Sequence, residues 1–148
     1  MNYRETMSRL NHSLNLIDSA YVVIAKKYNF TFNALMTICL IDESESITQK
    51  QICDKLHLPK STVHSILSDF IKQEYISLVA GTNKKEKLVT FTKQGVQYFE
   101  TILQETQLFE DKILAALGND TCLFLVETAE KLGAIIQEEL SAMNYSEV

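Results

Sequence analysis

The sequence predicts a mainly α-helical chain with a small β-wing: a winged helix-turn-helix set between long N- and C-terminal helices. Three observations predict it. Only four Gly and one Pro occur in 148 residues, so long unbroken helices are expected. Residues 48–71 read as two helices joined by a tight turn, the second one polar at its start. Just after them the apolar period switches from about 3.6 to 2, the mark of a hairpin.

The first helix is expected from Tyr3 to Lys27, with Leu10, Leu14, Ile17, Ala20, Tyr21 and Ile24 at three- and four-residue steps. Asn29 is its expected stop, since Asn tolerates the left-handed conformation. A second helix is expected over 31–41 with Thr31 as N-cap, followed by the acidic connector 42–46. Thr48-Gln49-Lys50-Gln51 has the spacing of a capping box and opens a short helix. His57-Leu58-Pro59 interrupts it, and Pro59 suits the first turn of the next helix. That helix carries Val63, Ile66, Leu67, Phe70 and Ile71 on one stripe, with Lys60, Ser61, His64 and Ser65 opposite.

Residues 76–79 and 87–91 read as strands around a polar turn containing Gly81. Thr92 is placed to cap a long helix to Leu117, with Gly95 early in it. Gly118-Asn119-Asp120 is expected to end that helix and cap a last one over 121–143. The first, fifth and sixth helices offer more apolar surface than a small winged unit can cover, which points to association of two copies.

The hydrophobic and charged fractions, 46% and 22%, suit a single soluble domain large enough to bury a core without disulfides or metal. No apolar run reaches the roughly 18 residues of a membrane span. The first residues lack the apolar stretch of a signal peptide, so a cytoplasmic location is expected. Cys39, Cys53 and Cys122 show no ligand spacing and are expected to be reduced, buried thiols. Neither a Gly-rich phosphate loop, a nucleophile elbow nor a zinc-like His pair is present, so no enzyme activity, metal or cofactor is expected.

The net charge of −5 argues at first against a nucleic-acid partner, but its distribution reverses that. Residues 50–93 hold eight Lys against four acidic side chains, while the remainder holds six basic and fifteen acidic ones. A basic middle between acidic ends is the pattern of a local binding face.

The order of elements resembles the MarR family of regulators. The specific motifs lie in residues 47–95: Ile47-Thr48-Gln49-Lys50-Gln51-Ile52, Leu56-His57-Leu58-Pro59-Lys60-Ser61-Thr62-Val63, Lys72-Gln73-Glu74-Tyr75-Ile76, and Leu88-Val89-Thr90-Phe91-Thr92-Lys93-Gln94-Gly95. The resemblance implies one chain, 1–148, with a winged DNA-binding unit at 30–95 and dimerisation helices at 1–28 and 96–143. It implies a homodimeric, ligand-responsive repressor of transcription that binds double-stranded DNA.

The residues it implies in DNA contact are Thr48, Gln49 and Lys50; Lys60, Ser61, Thr62, His64 and Ser65 at the recognition-helix start; and Lys84, Lys85 and Lys87 in the wing. A small aromatic or phenolic effector is implied between the winged unit and the dimerisation helices, with His12, Tyr21, Tyr28, Phe30 and Met36 as candidate wall. There are departures from the family. Asn83-Lys84-Lys85 stands where the family wing carries Asp-x-Arg, so a flexible ammonium replaces a planar guanidinium. Ser65 replaces a basic residue, and His57 occupies a turn position that often holds glycine. The peroxide-sensing branch has a cysteine near the start of the first helix, and this chain has none there. Two alternatives stand beside this reading: a winged-helix adaptor for protein partners, and a small-ligand-binding protein without a DNA function.

Overall fold

The structure, a computed structural model, describes residues 1–44, 46–83 and 85–143. Among the described residues, six helices and three short strands follow in the order α1 (Tyr3–Lys27), α2 (Phe32–Asp42), β1 (Ile47–Thr48), α3 (Gln49–Leu56), α4 (Lys60–Lys72), β2 (Ile76–Ala80), β3 (Lys87–Phe91), α5 (Lys93–Leu117) and α6 (Asn119–Ala142). The sheet is antiparallel in the order β1-β3-β2, with Ile47 opposite Val89 and Ile76 opposite Phe91. The chain divides into two compact units, Met1–Thr106 and Gln107–Val148.

Three helices in the first unit end in the same way, through a non-glycine residue at positive φ: Asn29 (60°), His57 (50°) and Glu74 (61°). After α1, Asn29 N–H donates to Lys26 O and Phe30 N–H to Ala25 O. After α4, Glu74 N–H donates to Ile71 O and Tyr75 N–H to Phe70 O. These paired bonds satisfy the last carbonyls and reverse the chain, turning the following apolar residue back onto the helix. Phe30 and Tyr75 are the residues so turned, and both meet the same partner.

That partner is Phe99 of α5, which is wholly buried. Its ring centroid lies 5.1 Å from Phe70 and Phe91, 5.3 Å from Tyr98, 5.6 Å from Tyr75 and 6.0 Å from Phe30, mostly at edge-to-face or tilted angles that suit ring quadrupoles. One side chain thus joins the start of α2, the end of α4, the wing and α5. Leu35, Ile38, Ile47, Ile52, Val63, Val89 and Ile102 complete the core around it.

The path from the wing into α5 is clamped against the end of α4. Thr92 N–H donates to Tyr75 O (3.0 Å), its hydroxyl donates to Glu74 O (2.5 Å), and the same hydroxyl accepts from Gly95 N–H (2.9 Å). Thr92 therefore caps α5 as expected and also ties it to the turn between α4 and β2. The approach is close enough that a Cβ on Gly95 would sit 1.9 Å from the Tyr75 carbonyl oxygen.

The sequence-based elements hold, with four adjustments. β1 was not anticipated: two residues carry no alternation, and Thr48 is at once its last residue and the N-cap of α3. Pro59 (φ −58°, ψ 144°) is the N-cap of α4 and not a residue of its first turn. Gly118, at φ 87°, is the N-cap of α6, with no side-chain cap bond, so Asn119 and Asp120 lie inside the first turn and do not cap it. Glycine alone takes that conformation freely, which lets α6 resume one residue after α5 ends. The three cysteines are half-buried, not buried, and none is in a disulfide.

Within the second unit, α6 has no buried residue; Phe124 is 65% exposed, Leu123 61% and Val126 55%. Leu108, Ile113, Leu114 and Leu117 of α5 are likewise exposed. In the first unit, Leu14, Leu16, Ile17 and Val23 of α1 also face outward. Among the described residues no helix is long and apolar enough to cross a membrane.

Gly95→Ala separates two opposed effects. Helix propensity alone favours Ala by about 1 kcal/mol, whereas the Tyr75 carbonyl leaves no room for the methyl group. The expected net result is a loss of about 2 kcal/mol in urea unfolding. A gain in stability would show that the clamp is loose.

Candidate nucleic-acid interface

α4 is divided sharply along its length. Val63, Leu67 and Phe70 are buried, while Lys60, Ser61, His64 and Ser65 are exposed and Thr62 is half-buried. The division follows from the 3.6-residue period: the apolar stripe faces the core, which turns the polar positions of the first two turns outward together. Pro59 offers no side-chain cap, so the first turn of α4 presents backbone N–H groups and a basic Lys60 at the positive end of the helix. His64 Nε2 lies 3.4 Å from Ser68 Oγ, one turn along the same face. Such a face can donate hydrogen bonds and positive charge to an anionic surface.

α3 holds α4 in place. The capping box is formed: Gln51 N–H donates to Thr48 Oγ1 (3.1 Å) and Thr48 N–H donates to Gln51 Oε1 (2.8 Å). Gln49 Nε2 reaches Lys60 O at 3.5 Å, and His57 and Leu58 both donate to Cys53 O. Thr48 and Gln49, expected as DNA contacts, are thus engaged in positioning the two helices. Lys50 donates to Asp54 Oδ2 at 2.7 Å.

The wing turn is ordered by Asn83. Its Oδ1 accepts from Lys85 N–H (3.4 Å) and its carbonyl accepts from Glu86 N–H (2.8 Å), while Gly81 N–H donates to Glu86 O. Asn83 therefore holds backbone where the resembled family's acid holds an arginine. Lys85 and Lys87 are exposed. Lys84 lies outside the described residues.

The five residues expected to wall a ligand cleft are differently placed. Phe30 is part of the Phe99 cluster, with Phe70 at 5.9 Å and Tyr98 at 6.3 Å. Tyr28 donates its hydroxyl to Glu105 Oε2 (2.5 Å), the oxygen that Lys27 Nζ also reaches at 2.7 Å. The hydrogen bond to Glu105 raises the Lys27 and Tyr28 pKa values, and the same contacts, Lys27 first, lower that of Glu105. His12 is exposed on α1, on a shallow face with Arg4, Met7, Ser8, Asn11 and Asn15. Tyr21 and Met36 are half-buried. Among the described residues no cluster of three His, Cys, Asp or Glu side chains is placed to hold a metal ion.

Sequence reasoning missed two positioning features: the Tyr28–Glu105 bond, whose partners are 77 residues apart, and the Tyr75–Tyr98 stack, with rings 3.9 Å apart and 11° from parallel. No local pattern signals either one.

Comparison with known proteins agrees with this architecture. Residues 28–85 match the MarR family. A MarR family regulator from Neisseria meningitidis superposes with a TM-score of 0.83 at 23% identity, over 97% of this chain and all of that one. A MarR family transcriptional regulator from Listeria monocytogenes, complexed with 26mer DNA, gives 0.73 at 19% identity, over 96% of this chain and 95% of that one. MarR of Staphylococcus aureus, in complex with salicylate and kanamycin, gives 0.67 at 17% identity, over 93% and 96%. Comparison with curated sequences gives no match.

His57 sets up a test of the turn. An L-residue in the left-handed region costs roughly 1–2 kcal/mol, which glycine does not incur. His57→Gly is expected to raise unfolding stability by about 1 kcal/mol, in spite of the greater freedom of its unfolded chain. A loss of stability in chemical denaturation would mean that the imidazole holds the turn through contacts of its own.

Proposed function

We propose that this chain, whose residues 28–85 form a MarR-family winged unit, is a homodimeric regulator of transcription that binds duplex DNA through α4 and the wing. The observation that carries the reading is the outward polar face of α4, Lys60, Ser61, His64 and Ser65, at an uncapped helix start, with Lys85 and Lys87 exposed in the wing. Helix N–H groups, hydroxyls and lysines are donors to phosphate, and side chains in the first turns of such a helix reach base edges in the major groove. Thr62 is a candidate phosphate contact, while Thr48 and Gln49 act by fixing the angle of α4. Lys85 is the wing residue that approaches the minor groove.

The exposed apolar faces of α1, α5 and α6 support a dimer built from residues 1–28 and 96–143 of both copies. Surfaces of this size on a free monomer would aggregate. A regulator of this kind acts in the cytoplasm.

Control by a small aromatic acid is the natural extension, because one similar structure holds salicylate. His12, Tyr21, Tyr28 and Met36 are the candidate contacts. Phe30 shapes the site from the core. By linkage, such a ligand lowers DNA affinity only if it binds the DNA-incompetent form more tightly, and DNA then lowers ligand affinity equally.

Two measurements test this reading. In fluorescence anisotropy with labelled duplex DNA, affinity should fall steeply with salt. Lys85→Ala should reduce the slope of log K against log salt by about 0.9, and His64→Ala should alter the selected base sequence more than the slope. Absence of any binding at low salt would rule the reading out. In light scattering at micromolar concentration the chain should be a dimer, and Ile136→Glu should shift it toward monomer or aggregate. A stable wild-type monomer would contradict the assembly.

A further inference from the structure

The exposed side of α3 carries a charge pair whose placement the DNA-binding reading does not explain. Lys50 Nζ lies 2.7 Å from Asp54 Oδ2, one turn further along the helix. Such pairs support a helix best with the acid nearer the N-terminus, where it faces the positive end of the macrodipole. Here the order is reversed: Lys50 is in the first turn and Asp54 near the last. Nor is the pair needed to close the helix, whose ends are already completed by the Thr48–Gln51 box and by His57. The hydrogen bond to Asp54, reinforced by its charge, holds the Lys50 ammonium in its protonated form. Lys50 is thus a well-formed cation whose charge is already matched.

We propose that Asp54 is a built-in competitor for the DNA phosphate that Lys50 would otherwise neutralise, holding the chain's affinity for duplex DNA below what its basic segment can deliver. The proposal rests on the DNA-binding reading and concerns how strong that binding is. A phosphate reaching Lys50 must displace a carboxylate tethered one helical turn away. If it does not, Lys50 releases no counterion, and the salt slope reports one contact fewer than the lysines suggest.

The test is anisotropy with a fluorescein-labelled random-sequence duplex, titrated at several KCl concentrations. The proteins are wild type, Asp54→Asn, Lys50→Ala, the double variant, and Glu43→Gln as a control for loss of an exposed acidic charge at the end of α2. Asp54→Asn should tighten binding roughly three- to tenfold at about 0.1 M salt and steepen the slope by about 0.9. Lys50→Ala alone should change little, and in the double variant it should abolish the gain. Glu43→Gln should behave as wild type. Asp54→Ser serves as a second replacement should the amide disturb α3.

Wild-type binding that Asp54→Asn leaves unchanged overturns this proposal and spares the DNA reading. A gain that persists in the double variant overturns it too, since the effect is then one of net charge. At the higher KCl concentrations, binding by Asp54→Asn alone supports it strongly, and binding by neither protein at low salt ends both.

Discussion

The packing of five aromatic rings around Phe99 is the constraint from which the rest of the first unit follows. Phe99 touches residues delivered by the α1–α2 and α4–β2 connections, α4, β3 and α5, so one buried side chain holds these elements together. Burying a Phe of this kind and filling its space contributes about 3–5 kcal/mol, a large part of the stability of a small domain. The left-handed residues Asn29 and Glu74 serve that cluster, because they turn Phe30 and Tyr75 into it. The Thr92–Gly95 clamp then brings α5 close enough for Phe99 to reach the center. Local backbone chemistry and the core are thus one arrangement seen at two scales.

Much of this was legible in the sequence, for identifiable reasons. Helix ends were readable because caps are local: Thr31, Thr48 and Thr92 each accept the backbone bond their spacing predicts. The division of α4 followed from period alone. β1 was hidden, since two residues cannot show a period and its pairing with Val89 is 42 residues away. The roles of Phe30 and Tyr28 were equally hidden. An aromatic near a junction looks alike in sequence whatever it packs against, and the contacts with Phe99 and Glu105 are visible only in the structure.

The interface shows how positioning and contact are divided among neighbours. Thr48 and Gln49 engage backbone and side-chain partners inside the unit, which leaves Lys60, Ser61, His64 and Ser65 as the outward donors. Asn83 orders the backbone of the wing turn. Lys85 and Lys87 are exposed beside the turn that Asn83 orders, and an ammonium suits neutralising phosphate more than reading a narrow groove. On the proposed function, sequence discrimination falls mainly to α4, with His64 and the hydroxyls beside it.

The central claim is that this outward face of α4, together with the wing, is the surface that meets duplex DNA. Amide chemical-shift mapping during titration with a short duplex at low salt tests it directly. The account predicts shifts concentrated at Lys60–Ser65 and Lys85–Lys87, with the amides around Phe99 little changed. Shifts confined to α1 or α6, or none anywhere, would contradict it.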